Sequence, residues 1–432
     1  MGGSNMRRFC LLFVFVLMIG LCACRKEEQS LTVYVVKDDA LYTTAVENYK
    51  KDHPDVTLNV VQFASYEELN ERMTTELLSG KGPDVLLFNS LYSTTDYYKL
   101  SQSGVFLPLD SYMTALQDQS RYYTTLLDAG KIGDQQYVLP VSWNLLQVYS
   151  TQDVVNQNGY NDTDIYDALL TEADRLTAEE MYAAASLSLM RADPLNMFLE
   201  NAGIPVVDAE KGTFSADKEK MAETAAVVKS FFDNLKKTQA INSAFRNDFA
   251  GAVSHFTFLI ENYPFMHNLR FYQTLYPSYM QQQMYAAYFP QQDGDGLSAQ
   301  IIHYGAVNAN TTNADAAWNL LQYILEAPFS TDFMKYDTGS LYYSPITVKE
   351  YENCVVQLET QSGQGPVRIA PLNPENAAFL RSVPGKISEA YIPNPVLGGL
   401  VDGCMMDYLT GKATFDDCYA ELENQIRRYL QE

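Results

Sequence analysis

Apolar positions along the chain switch repeatedly between a period of two and a period near three and a half. Leu31-Thr-Val-Tyr-Val-Val36 is β-rich, and Leu41, Ala45, Val46 and Tyr49 then recur at helical spacing. His53-Pro54-Asp55 predicts the end of that helix, and Val56 to Phe63 reads as a second strand. Ser65-Tyr-Glu-Glu68 is a capping box, opening a helix with Leu69, Met73 and Leu77 on one side until Gly80 to Pro83 ends it. Asp84 to Phe88 is nearly all apolar, as a parallel strand covered on both faces must be. Three βα units at this spacing predict a doubly wound α/β lobe.

Sheets of this kind bind ligands beyond the carboxyl ends of their strands, where loops and helix N-termini present backbone N–H groups. Here those ends are Lys37-Asp38-Asp39, Phe63-Ala64-Ser65 and Asn89-Ser90-Leu91-Tyr92. All are polar or aromatic, although each also suits a plain cap or turn. Farther on, Tyr137–Pro140, Val141–Asn144 and Leu145–Tyr149 read as two extended stretches joined at Trp143, with Pro140 barring one central strand. Thr177-Ala-Glu-Glu180 is another capping box, before a mostly helical region that runs to about Leu235 and breaks at Asp193-Pro194. Phe256–Ile260 and Ala306–Asn310 return to strand, and the second is followed by a helix from Ala314 to Leu325. Thr414-Phe-Asp-Asp417 caps the last helix, which runs to Leu430.

The first residues do not belong to this pattern. Arg7 and Arg8 precede an apolar run from Phe9 to Leu21, too short for a hydrocarbon core that needs about 20 residues. It reads as a signal peptide over 1–23, with Met6 a second candidate start. Leu21-Cys22-Ala23-Cys24 resembles the bacterial lipobox, in which the last cysteine is acylated and becomes the mature N-terminus. Cys24 is then the lipid anchor and 24–30 a short charged tether. Of the six cysteines only Cys354, Cys404 and Cys418 remain in the body, an odd number that cannot pair completely. Cys418 shares an apolar helical face with Phe415, Leu422 and Ile426, which favours a buried thiol over a Cys404–Cys418 bridge.

The 432 residues, 47% hydrophobic and 19% charged, exceed one ordinary domain. The formal charge is −23, and −25 once the leader with its two arginines is removed, so nucleic acid is excluded as a partner on electrostatic grounds. No basic patch supplies the usual second membrane signal, and no later stretch approaches 18 apolar residues.

Several segments in order resemble the extracellular solute-binding proteins of ABC importers, the broad family that includes maltose-binding and other oligosaccharide-binding lipoproteins. Gly82-Pro-Asp-Val-Leu-Leu-Phe88 resembles the family's third strand with its entry turn, and Gly104-Val-Phe-Leu-Pro-Leu-Asp110 the segment after it. Gly130 to Pro140 with Tyr149 resembles the first crossover between lobes. Gly305-Ala-Val-Asn-Ala-Asn310, followed by Asp315-Ala-Ala-Trp-Asn-Leu-Leu321, resembles the return, and Tyr408-Leu-Thr-Gly-Lys-Ala-Thr414 the approach to the last helix. Each is weakly specific; their order and spacing over 31–432 carry the resemblance.

The resemblance implies an α/β, two-lobed periplasmic-binding-protein-like fold with a three-segment hinge. Lobe one would take 31–142 plus 303–345, and lobe two 146–300 plus 350–432. Ligand would close the lobes by touching both, since only differential contacts shift a hinge equilibrium. The implied contacts are Lys37 and Asp38 in the first-strand loop, Asn89 and Ser90 in the third-strand loop, and Trp143 and Asn144 at the crossover. In the second lobe and hinge they are Asp193, Tyr263 where the family commonly stacks a tryptophan, Tyr342, Tyr343 and Asn394. The implied role is a non-enzymatic, monomeric capture subunit without cofactor or metal. It would be held outside the bacterial cell membrane through Cys24 and would deliver a solute, most simply an oligosaccharide, to permease subunits.

Sugars suit such a set because aromatic rings cover pyranose C–H faces while Asp, Asn and Lys bond the hydroxyl rim. Two departures matter: Trp is scarce, at two, and Asn144 is uncharged where the maltose-type protein carries an acid. Other solutes therefore stay open, among them a peptide, or a ferric ion on the Tyr97-Tyr98, Tyr122-Tyr123 or Tyr342-Tyr343 pairs. A sensor-linked or adhesive glycan binder without transport would carry the same site. Enzyme signatures are missing, with no HExxH, GxSxG, P-loop or strand-linked GxGxxG, and His53, His255, His267 and His303 are scattered. Each reads as a surface or satisfied core histidine.

Overall fold

In a computed structural model, the described residues are 30–158 except 117, 182–185, 194–233, 256–327 except 263, 282, 293 and 295, 343–362, and 369–432. The expected opening alternation is present: β1 (Ser30–Val36), α1 (Ala40–Asp52), β2 (Thr57–Phe63), α2 (Tyr66–Leu78) and β3 (Val85–Asn89). The predicted stop and start both hold, with His53 as the C-cap of α1 and Ser65 Oγ accepting from the Glu68 N–H at the start of α2. Strands β2 and β3 lie parallel to β1 on either side, and every residue of β3 is buried.

The chain then enters β4 (Leu139–Asn144), passes through Leu145 and Leu146, and continues as β5 (Gln147–Thr151). Trp143 therefore lies inside β4, one residue before its end. Pro140 is accommodated because β4 is paired along one side with residues 300–305, while on the other side only Ser142 and Trp143 find a partner strand. No ladder needs a Pro140 N–H. Four further elements carry the chain through the middle region: α3 (Pro194–Asn201), α4 (Lys218–Asp233), β6 (Phe256–Glu261) and α5 (Phe265–Leu275). β7 (Met284–Tyr288) and β8 (Leu297–Val307) follow, then α6 (Ala314–Glu326), α7 (Val348–Thr360), α8 (Pro374–Ser382), β9 (Ile387–Tyr391), α9 (Pro395–Leu409) and α10 (Phe415–Gln431).

Two sheets result. The larger joins β2, β1, β3, β8 and β4, with Ser344–Pro345 outside β4 and β9 alongside the first half of β8. β8 is antiparallel to β3, pairing His303 with Asn89, and all eleven of its residues are buried. The smaller sheet places β5 between β7 and β6, with Tyr182–Ala185 beyond β6.

Two hydrophobic cores flank the smaller sheet, and its period of two assigns side chains to them. Tyr149 and Leu259 face the first core together with Phe265, Leu269 and Tyr272 of α5, whereas Val148 and Ile260 face the second with Phe198, Val228, Met405, Leu422 and Ile426. Tyr351, Val355, Leu358, Leu380 and Ile392 pack into the first core, and the chain reaches the second core with α9. Helix α7 meets the first core where Tyr351 stacks on Trp143 at 5.8 Å and meets Tyr123 edge-on at 5.6 Å, and α8 meets the smaller sheet where Phe379 stacks on Tyr288 of β7 at 4.9 Å.

The last helix forms as its capping box predicts, with Thr414 Oγ1 accepting from the Asp417 N–H at 3.2 Å. Cys418 is buried on its apolar face, and Cys354, Cys404 and Cys418 are all free thiols. The turn after residue 128 depends on a glycine for a different reason. Gly130 accepts from Tyr137 and Val138 through its carbonyl, and a Cβ there would stand 2.0 Å from the Val138 carbonyl oxygen. Gly130→Ala is expected to cost about 1–3 kcal/mol as the hairpin shifts to relieve the clash, read as a lowered thermal midpoint with an unchanged circular dichroism spectrum.

Candidate functional site

The carboxyl ends of β1, β2 and β3 converge as the strand–helix alternation requires, and a cleft of about 1020 Å³ opens above them. Asp38, Asp39, Tyr66, Glu67, Glu71, Asn89, Tyr92, His303 and Tyr343 are among the residues that line it. Its floor is a buried polar cluster. Asp39 is the N-cap of α1, accepting from the Tyr42 N–H at 3.1 Å through Oδ1, while Oδ2 accepts from the Tyr66 hydroxyl and lies 3.2 Å from His303 Nε2. The Asn89 side-chain amide nitrogen stands 3.1 Å from the same imidazole nitrogen, and His303 Nδ1 is 2.7 Å from Ser142 Oγ. Both ring nitrogens are thus engaged.

Burial alone would raise the Asp39 carboxyl. The His303 charge, its hydrogen bond, and the bonds from Tyr66 and the Tyr42 backbone outweigh that and hold it at about 2. The Tyr66 hydroxyl moves the opposite way, pushed well up by burial and by the neighbouring Asp39 charge. Above this floor the Tyr66 ring stacks on Tyr92, with centroids 5.4 Å apart and planes 12° from parallel. Tyr92 is 58% exposed, so the pair presents an aromatic face to the cleft. The arrangement can bond a polar rim at its floor and cover an apolar face at its wall. Among the described residues no group of three or more His, Cys, Asp or Glu is placed to hold a metal ion.

Residues 30–328 match the family described as bacterial extracellular solute-binding protein. The chain belongs to that family. The fold agrees over nearly the whole chain with solved solute-binding proteins. The GacH receptor of Streptomyces glaucescens, solved unliganded and with acarbose, is 18% identical with a TM-score of 0.59, covering 94% of this chain and 100% of its own. A sugar transporter from Rhizobium etli in an open conformation is 16% identical with a TM-score of 0.62, covering 92% and 99%. A substrate-binding protein from Listeria monocytogenes in complex with cycloalternan is 13% identical with a TM-score of 0.57, covering 94% and 100%. No curated protein matches the sequence. Family and fold are those of ABC-importer binding proteins rather than enzymes, and no helix among the described residues is long and apolar enough to cross a membrane.

Within this solute-binding protein the expected contact residues separate into groups. Asp38, Asn89 and Tyr343 all line the cleft, Asn89 as part of its floor. Lys37 is exposed beside it, and Ser90 ties the loop to β8 by donating from Oγ to the Ile301 carbonyl at 2.8 Å. Trp143 lies elsewhere, 0% exposed in the first core between Phe265 and Tyr351, because its indole N–H is satisfied by the Pro345 carbonyl at 3.0 Å. Asn144 is buried as well: Oδ1 accepts from the Phe265 N–H, capping α5, and Nδ2 donates to Asn262. Asn394 is the N-cap of α9 and donates to Asp96 Oδ1 at 2.9 Å, away from the cleft. Asp193, Tyr263 and Tyr342 lie outside the described residues.

Sequence reasoning did not single out Tyr66, Tyr92 or His303 as contacts. Tyr66 directly follows a recognised N-cap and Tyr92 ends the third strand loop, so position at a strand's carboxyl end was the available signal. His303 is a satisfied histidine, as expected, yet it forms part of the cleft floor. Of the tyrosine pairs considered for iron, Tyr122-Tyr123 is held toward the protonated phenol: burial, then hydrogen bonding to Glu326, pushes the Tyr122 hydroxyl up, and burial raises Tyr123 to about 12.

Proposed function

We propose that this chain captures an oligosaccharide in the cleft above β1, β2 and β3, closes its lobes around it, and presents the closed form to ABC permease subunits while held to the cell membrane through a lipid on Cys24. The observation that carries this reading is the stacked Tyr66–Tyr92 pair standing beside the Asp39–Asn89–His303 floor. Pyranose faces need such a platform, and their hydroxyls need such donors and acceptors. On this reading Asp38, Asn89 and Tyr343 contact ligand from the first wall, with Lys37 at the rim. Asp193, Tyr263 and Tyr342 are the proposed contacts that complete it.

A thermal-shift panel of neutral oligosaccharides, amino acids, short peptides and Fe(III) tests it. Ligand at a hundred times its dissociation constant stabilises the native state by about 2.7 kcal/mol, a shift of several degrees. A response to one oligosaccharide class supports the reading, and a response confined to peptides or iron overturns it. With the responding sugar, Tyr92→Ala is expected to weaken binding about tenfold to a hundredfold, as loss of an aromatic anchor does. Stability should change by no more than about 0.5 kcal/mol, because the ring is largely exposed.

A further inference from the structure

Charge around the cleft is predominantly negative, with Lys37 as the exposed cation at its rim. Asp38, Asp39, Glu67 and Glu71 line it, and among its described lining residues the one basic side chain is His303. That imidazole is only 4% exposed and lies at the floor, 3.2 Å from the Asp39 carboxylate. Asp38, Glu67 and Glu71 remain, all exposed and none in an ion pair among the described residues. The nearest arginine on α2, Arg72, is bonded to Glu76 and lies over Tyr34, away from the cleft.

The opposing field comes from two helix N-termini, α1 and α2, each worth roughly half a positive charge. Both ends are already answered: Asp39 caps α1, and Glu68 in the first turn of α2 accepts from the Ala64 N–H. The part of the cleft lined by Asp38, Glu67 and Glu71 beside the tyrosine platform is therefore net negative, even with Lys37 at the rim. Anionic glycans would enter it against repulsion, and a cation there gains both from the carboxylates and from the faces of the tyrosine rings.

Resting on the sugar-capture reading, we propose that the cleft is selective for a glycan bearing a protonated amine, an unacetylated amino sugar, whose ring lies on Tyr66 and Tyr92 and whose ammonium is held among Asp38, Glu67 and Glu71. The flat aromatic face favours a pyranose over a flexible polyamine, which has no face to cover.

Calorimetric titration with a length-matched series tests the charge. The probes are a glucosamine tetramer, its N-acetylated counterpart and a galacturonic acid tetramer, with spermidine as the sugar-free amine and maltotetraose, cellotetraose and xylotetraose run alongside. The amine tetramer is expected to bind about tenfold tighter than the acetylated one at low salt, with the ratio falling as salt is raised and the uronate silent. Glu67→Gln with Glu71→Gln should cut that ratio about threefold to tenfold.

Equal binding of amine and acetylated tetramers, or binding of the uronate, overturns the charge inference while leaving sugar capture standing. Spermidine binding as tightly as the amine tetramer overturns the amino-sugar assignment. Silence of the glucosamine series overturns it too, and the three neutral tetramers then report separately whether sugar capture survives.

Discussion

Trp143→Ala is expected to lower the unfolding free energy by about 3–5 kcal/mol, the range for removing a large aromatic from a filled core. The ring has no exposed surface, is flanked by Phe265 at 4.9 Å and Tyr351 at 5.8 Å, and holds the Pro345 carbonyl through its indole nitrogen. The substitution leaves a cavity and also an unpaired carbonyl next to the crossing between the two sheets. Urea unfolding followed by circular dichroism gives the loss directly, and it avoids the fluorescence change caused by removing one of two tryptophans. A loss below about 1 kcal/mol together with a large fall in ligand affinity would return Trp143 to the binding site, where family resemblance alone places it.

Asp39→Ala should cost a comparable amount, about 3–5 kcal/mol near neutral pH, because it strips the buried partner from His303 and Tyr66 and the N-cap from α1. Part of this is readable as a pH dependence in the unmodified protein. The carboxyl stands at about 2 in the fold against an ordinary 3.8. A group held lower in the folded state binds its proton more weakly there than in the unfolded chain. Its contribution, about 2 kcal/mol, is therefore complete above pH 4 and lost as the pH falls from about 4 through 2. Urea titrations at pH 6 and pH 2.5 should accordingly show the gap between Asp39→Ala and the parent narrowing at the lower pH. A constant gap would mean that Asp39 acts through packing and capping alone.

The elements legible in the sequence are those fixed by short-range chemistry. Ser65 with Glu68 and Thr414 with Asp417 mark helix starts because a side-chain oxygen satisfies an orphan N–H three residues on. The uninterrupted apolar run before Asn89 marks a strand buried on both faces, and Cys418, Leu422 and Ile426 mark one face of the last helix. The carboxyl ends of the first three strands could be named as the ligand edge on topology alone, and Asp38 and Asn89 do line the cleft. Tyr343 is reached from family resemblance rather than from its local pattern.

The floor of the cleft was not legible in that way. Asn89 and His303 are 214 residues apart, and they meet because β8 returns antiparallel beside β3 with those two residues in register. Trp143 and Asn144 could not be told from exposed contacts either. A strand covered on both sides has no alternation to show which face is wet, and the covering comes from α5 and α7 far along the chain. An amphipathic helix likewise specifies that one face is buried, not which core receives it, so the packing of α7 and α8 was not legible locally.

By itself, then, the sequence determined the opening strand–helix alternation, the caps at Ser65 and Thr414, the strand ends where ligand chemistry gathers, and a strongly acidic composition, because each follows from neighbours within a few residues or from composition. It did not reveal Tyr182–Ala185 as a strand inside a stretch that reads as helical. Only the tertiary structure decided which aromatics are core and which form the Tyr66–Tyr92 platform, and that Asp39, Asn89 and His303 share one buried cluster. Those outcomes depend on long-range strand register and on competition between cores for the same apolar faces, which no local pattern encodes.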